Sequence, residues 1–127
     1  MDIISKKVLI IEDDPSFSRA VCHIVEKEGY SVITASNGIT GLRMAKEDKP
    51  DLLILDVMLP GVDGFEICSR LRNEPQTTKL PIIMLSAKGQ EADKTTGLKV
   101  GADVYLTKPV DRAVLLEKLT SLLAKEL

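Results

Sequence analysis

The sequence predicts a doubly wound α/β domain, a single five-stranded parallel sheet with five helices on its two faces. Three observations predict it. Short apolar runs alternate along the 127 residues with stretches of helical period, the pattern that right-handed crossovers turn into a parallel sheet. The runs beginning at Val8, Leu52 and Ile82 are continuously apolar, as strands covered on both faces are. Four runs also end in a reactive residue: Val8-Leu9-Ile10-Ile11 leads into Glu12-Asp13-Asp14, Leu52-Leu53-Ile54-Leu55 into Asp56, Ile82-Ile83-Met84-Leu85 into Ser86, and Val104-Tyr105-Leu106-Thr107 into Lys108-Pro109.

The elements follow in order. After the first strand, Phe17, Ala20, Val21, Ile24 and Val25 form one apolar stripe at i, i+3, i+4, i+7 and i+8. Asp14 is placed to cap this helix, Pro15 suits its first position and Gly29 its stop. Tyr30 to Ala35 reads as a second, more mixed strand. Ile39, Leu42 and Ala45 mark a second helix closed by Lys49-Pro50. Beyond the third strand, Asp63 opens a third helix through Phe65, Cys68 and Leu71, with Glu66 where a capping box places it. The segment Gln90 to Val100 is the weakest helix, because Thr95, Thr96 and Gly97 are poor formers and its stripe is thin; it is expected to be the most mobile. Asp111 opens the last helix, with Leu115, Leu116, Leu119, Leu122 and Leu123 on its buried face. The two mixed strands belong at the sheet edges and the three apolar ones at its centre. The order 2-1-3-4-5 of flavodoxin-like folds follows.

Composition narrows the function. A chain of this length with 44% apolar residues makes one domain, residues 1-127. With 17 basic and 19 acidic side chains it lacks a basic footprint, so direct nucleic-acid binding is not expected. No run approaches the roughly 20 apolar residues that span a bilayer, and the start lacks a signal-peptide core, so the expected location is cytoplasmic, with no membrane partner. Cys22 and Cys68 have no metal or redox spacing and read as reduced, packed thiols, while His23 reads as a helix-surface residue.

Open α/β sheets bind ligands at the carboxyl ends of their strands, so the reactive tips should meet at one site. Glu12, Asp13 and Asp56 brought together would repel one another without a cation. All-oxygen ligation by a few carboxylates suits Mg²⁺. With Lys108 as a second cation, the set fits phosphoryl transfer to a carboxylate, and Ser86 can donate to a phosphoryl oxygen. Singly, each residue has a plainer explanation: an acid at a strand end caps a helix, as Asp14 can, a serine sits in a turn, and a lysine is a solvated charge. Four such coincidences at successive strand tips favour the site.

These residues resemble the receiver domain of bacterial two-component response regulators, the CheY-like family. The likeness covers the whole chain and rests on Ile10-Ile11-Glu12-Asp13-Asp14, on Leu55 to Gly64 (LDVMLPGVDG), on Leu85-Ser86-Ala87 and on Gly101 to Pro109 (GADVYLTKP). The resemblance implies a signalling phosphoacceptor rather than an enzyme, one that catalyses only its own phosphorylation and dephosphorylation. Asp56 would take phosphate from a sensor histidine kinase or a histidine phosphotransfer protein. Asp13, Asp56 and the main-chain carbonyl of Met58 would bind Mg²⁺, with Glu12 acting mainly through water. Lys108 would pair with Asp56, its bond to Pro109 would be cis, and Ser86 with Tyr105 would form a switch read on the fourth helix, fifth strand and fifth helix.

Two departures from the family pattern stand out. Val104 replaces the second acid that usually follows Asp103 in regulators pairing through the fourth-helix face, so pairing by that charge pattern is not expected. Met58 and Lys88 occupy the variable positions that tune phosphoryl lifetime. Two other readings compete. An aspartyl-phosphate phosphohydrolase would carry an acid where Met58 stands, together with a cap domain. A receiver-like interaction module without phosphorylation would lack the acids or the lysine. Since the sequence stops after the last helix, either a stand-alone receiver or a piece of a longer regulator is expected, its output an unknown protein or a missing effector domain.

Overall fold

A computed structural model describes residues 6–87 and 92–124. The elements alternate as β1 (Lys7–Ile11), α1 (Pro15–Lys27), β2 (Ser31–Ala35), α2 (Gly38–Glu47), β3 (Leu52–Asp56), α3 (Gly64–Arg72), β4 (Ile82–Ser86), α4 (Ala92–Lys99), β5 (Val104–Thr107) and α5 (Arg112–Ala124). All strands are parallel, in the order β2-β1-β3-β4-β5. The central strands β3 and β4 are buried along their whole length, whereas β2 and β5 keep exposed residues. Gln90 and Lys88 lie outside the described residues.

Side-chain alternation splits the core in two. Leu9, Ile11, Leu53, Leu55, Ile82 and Met84 face α2 and α3. Val8, Ile10, Leu52, Ile54, Ile83 and Leu85 face α1 and α5, meeting Val21, Val25, Leu115, Leu119 and Leu123. The same alternation sends Glu12, Asp56 and Lys108, at the strand tips, toward the α1 and α5 side. Ser86 and Tyr105 share the other side with Met84, and Met84 pairs directly with Tyr105 in the β4–β5 register.

Helix ends follow from their side chains. The Asp14 carboxylate accepts the Ser16 and Phe17 N–H groups, Asn37 that of Thr40, Asp63 that of Glu66 and Asp111 that of Val114. Gly29 ends α1 at φ 98° and Gly101 follows α4 at φ 116°, both in the left-handed region that favours glycine. The Glu66 carboxylate does not complete a capping box as expected; it turns along the helix to accept from Arg70 Nε at 2.9 Å.

A second correction concerns α2. Ile39 was expected on its buried stripe but is 64% exposed. The buried face is Gly38, Gly41, Leu42 and Ala45, so Leu42 and Ala45 lie where expected and Gly38 takes the place of Ile39. A Cβ on Gly41 would lie 2.4 Å from Ile11 Cδ1, and one on Gly38 would lie 2.7 Å from the Val62 carbonyl, so α2 docks through its glycines. Ala20 of α1 is likewise exposed. In α4 the thin stripe is plain, since Gly97 is buried between exposed Thr96 and Leu98.

Candidate functional site

The strand register brings the reactive tips to one level. Ile11 pairs with Leu55, Asp56 with Leu85, and Ser86 with Thr107. Main-chain bonds carry the ladder one residue past each tip. Glu12 N–H donates to the Ala35 carbonyl at 3.0 Å, Val57 N–H to that of Leu85 at 2.9 Å and Lys108 N–H to that of Ser86 at 2.7 Å. The Lys108–Pro109 peptide is cis.

At this rim one carboxylate oxygen from each of Glu12, Asp13 and Asp56 lies within 4.8 Å of the others. Glu12 and Asp56 are buried while Asp13 is exposed, which leaves the cluster open on the Asp13 side. Lys108 Nζ lies 2.8 Å from Glu12 Oε1 and 3.4 Å from Asp56 Oδ1. The lysine expected on Asp56 is therefore closer to Glu12. The other Glu12 oxygen, Oε2, accepts the Asp14 N–H at 3.0 Å, tying the acid to the turn that starts α1.

Electrostatics follow from burial and pairing. Burial pushes the Glu12 carboxyl above the ordinary glutamate range; the Asp56 charge adds to this, and the hydrogen bonds from Lys108 and Asp14 only partly oppose it. For Lys108, burial favours the neutral amine, but the hydrogen bond to Glu12 and the Asp56 charge outweigh it and raise the pKa. The ammonium is thus held charged between two acids. One such cation cannot neutralise three carboxylates, and this donor set of hard oxygens, partly open to solvent, fits a divalent ion such as Mg²⁺.

Ser86 and Met58 stand at the same rim, whereas Arg72 and Asp103 lie at the opposite rim, where β4 and β5 begin. Ser86 is fully buried, and among the described residues its hydroxyl makes only a long 3.5 Å contact to the Ala87 carbonyl. Met58 follows Asp56 by two residues with its side chain exposed. The Tyr105 ring lies against α4, where a Cβ on Gly97 would come within 2.6 Å of it. Arg72 donates to the Gly101, Thr77 and Thr78 carbonyls and pairs with Asp103 at 3.0 Å, bracing the segment before β5. Asp103 in turn accepts the Ile82 N–H, at the start of β4. Cys22 and Cys68 are free thiols, and burial raises the pKa of each.

Sequence reasoning read Phe17 only as part of a core stripe. Its ring in fact lies under the Lys108 ammonium, 4.4 Å from centroid to Nζ. The signal was present: with Asp14 as cap, Phe17 falls in the first turn of α1, beside the strand tips. Among the described residues no helix is long and apolar enough to cross a membrane.

A parallel sheet of this order with acids and a lysine converging at its carboxyl rim defines a receiver-type phosphoacceptor domain. Residues 8–120 match the family model for the response regulator receiver domain. The chain belongs to that family, the receiver domains of two-component response regulators. It is 49% identical over 105 residues to the alkaline phosphatase synthesis transcriptional regulatory protein PhoP of Bacillus subtilis, covering 83% of this chain and 43% of that protein. It is 37% identical over 118 residues to protein PilH of Pseudomonas aeruginosa, covering 93% and 98%. The chain thus spans about half the length of several curated relatives, 43% of PhoP and 49% of RpaA of Synechocystis, and nearly all of PilH.

Solved structures agree. The chemotaxis response regulator CheY4 of Vibrio cholerae superposes with a TM-score of 0.86 at 34% identity, covering 94% of this chain and 99% of that one. The receiver domain of sensor histidine kinase PA1611 from Pseudomonas aeruginosa, described with a magnesium ion in its active-site cleft, gives a TM-score of 0.88 at 28% identity, covering 95% and 99%. Receiver domains of this family are signalling phosphoacceptors.

Proposed function

We propose that residues 1–127 form one receiver domain in which Asp56 accepts a phosphoryl group from a sensor histidine kinase or a histidine phosphotransfer protein. The observation that carries this reading is the buried Asp56 carboxylate, 3.4 Å from Lys108 Nζ and within 4.8 Å of the Glu12 and Asp13 oxygens. A carboxylate oxygen of Asp56 forms the new O–P bond as the P–N bond of the donor phosphohistidine breaks. The imidazole leaves with that electron pair and takes a proton from solvent. Mg²⁺ held by Asp13, Asp56 and the Met58 carbonyl, with Glu12 one water further out, would neutralise charge on the phosphoryl oxygens.

The chain's own residues do the rest. Lys108 moves from Glu12 to a phosphoryl oxygen, whose negative charge keeps it a cation there. The Ser86 hydroxyl gives up only a long contact when it turns toward the new acceptor. Tyr105, on the same face of the sheet, follows it inward and alters the surface of α4, β5 and α5. The bias comes from contacts that differ between the two states.

The output is an effector domain or a separate protein that reads this surface. The domain itself makes no nucleic-acid contact, its net charge being −2, and it works in the cytoplasm. Its chemistry is limited to its own phosphorylation and dephosphorylation. Incubating the protein with a small phosphodonor tests the reading. One phosphoryl group per chain should appear by intact mass with Mg²⁺ and none with a chelator in excess; equal incorporation in both would overturn it.

A further inference from the structure

Lys108 is held from more than one side. Two carboxylates stand before its ammonium, at 2.8 Å and 3.4 Å, and the face of Phe17 lies at 4.4 Å from it. Lysine carries up to about 2 kcal/mol of rotamer entropy on its four-carbon stem, so an ammonium that must meet a phosphoryl oxygen gains from being confined beforehand. An aromatic face attracts the cation through its quadrupole and brings no charge that competes with the oxygens.

The ring is itself fixed. Phe17 sits in the first turn of α1, where its N–H reaches the Asp14 cap at 3.4 Å, and its side chain packs on the α1 and α5 core. Asp14 N–H donates to Glu12, and Glu12 accepts from Lys108, so the four residues close a circuit around the lysine.

Building on the phosphoacceptor reading of the site, we propose that Phe17 is a positioning residue for phosphoryl transfer: its ring face holds the Lys108 ammonium beside Asp56, and the electrostatics of the ring, not only its bulk, set the transfer rate. When the phosphoryl group arrives, the ammonium turns from Glu12 to the new oxygen while still over the ring. An aliphatic side chain of similar size would fill the space and leave the lysine free to follow Glu12.

Fluorinated phenylalanines placed at position 17 separate the two contributions, because they keep the shape and weaken the negative ring face stepwise. Phosphorylation of the full chain by a small phosphodonor with Mg²⁺ should slow progressively, by roughly two- to thirtyfold at the pentafluoro ring. Phe17→Leu should slow it to a similar extent and Phe17→Tyr should keep the parent rate, and the fluorinated proteins should unfold at the parent midpoint. The same fluorination at Phe65, on the opposite face of the sheet, should leave the rate as it was. In the metal-free protein, NMR should find the Lys108 ε-methylene protons displaced upfield by the ring, and Phe17→Leu should remove that displacement.

A rate that stays flat across the fluorinated series would overturn the proposal, leaving Phe17 as packing. Lys108→Met distinguishes the deeper failure. If that variant is slow while the fluorinated series is flat, only the role of Phe17 falls. If it keeps the parent rate, the assignment of the site falls as well.

Discussion

Gly64→Ala bears directly on how the acceptor is held. A Cβ at position 64 would lie 2.4 Å from the Asp56 carbonyl oxygen, 2.8 Å from Val57 Cα and 3.1 Å from the Asp56 carbonyl carbon. Ordinary contact begins at 3.4 Å, so α3 must back away from the tip of β3 by about 1 Å. All three atoms are main chain, and no rotamer change relieves them. The Gly64 N–H bond to the Val57 carbonyl, now 2.9 Å, would be stretched in the same movement. Overpacking of this kind costs about 1–3 kcal/mol. For a domain of this size that is a fall in thermal midpoint of roughly 4–12 °C by circular dichroism. The phosphorylation rate should drop by up to about a hundredfold, since Asp56 shifts against Lys108. Gly41→Ala is the comparison: its Cβ would meet Ile11 Cδ1 at 2.4 Å, Cγ1 at 2.8 Å and Cγ2 at 3.1 Å, all side-chain atoms of a buried residue and none of them main chain at the acceptor. It should cost comparable stability and leave the rate nearly intact, because the acceptor backbone is not touched. If Gly64→Ala unfolds at the parent temperature and phosphorylates at the parent rate, the packing of α3 on the acceptor backbone is not as described.

Four further outcomes follow from the same geometry. Because burial raises the Glu12 pKa, lowering the pH should weaken Mg²⁺ binding from above the ordinary glutamate range, as read by calorimetric titration. In the metal-free protein the sign is opposite. Stability contributed by this group is full below its unfolded pKa and is lost as pH rises through the folded one, and urea midpoints across that window that rise with pH would contradict the shift. Gly97→Ala should drive the Tyr105 ring from α4, since the new Cβ would lie 2.6 Å from it, and change the near-UV circular dichroism of tyrosine without any phosphodonor. Ser86→Ala should still take beryllofluoride at Asp56, a phosphoryl mimic, but its NMR shifts should stay local; a full set of shifts at Tyr105 and α4 would remove Ser86 from the switch.

Much of this was legible because strand tips carry their chemistry in the chain itself. An apolar run followed by Glu12-Asp13, Asp56, Ser86 or Lys108 announces both the strand and what stands at its end. Caps were equally readable at Asp14, Asp63 and Asp111, whose side chains act within three residues. What escaped depends on distance in space rather than in sequence. Ile39 looked like a core residue, but α2 docks through Gly38 and Gly41 beside Leu42 and Ala45, which leaves Ile39 outside the contact. Glu66 chose Arg70, a partner that its helix offers, over the cap. The closer pairing of Lys108 with Glu12 spans 96 residues, and a periodic pattern cannot weigh one acid against another across the sheet. Phe17 has the spacing of a core residue, and only the folded rim reveals a cation above its face.

The central claim is that the convergence of Asp56, Glu12, Asp13 and Lys108 makes Asp56 the phosphoacceptor. Site localisation by tandem mass spectrometry after treatment with a small phosphodonor and Mg²⁺, on the parent and on Asp56→Asn, tests it most directly. The account predicts a single phosphoryl group on Asp56 in the parent and none in the variant. A phosphoryl group retained on Asp56→Asn, or mapped in the parent to another residue, would contradict it.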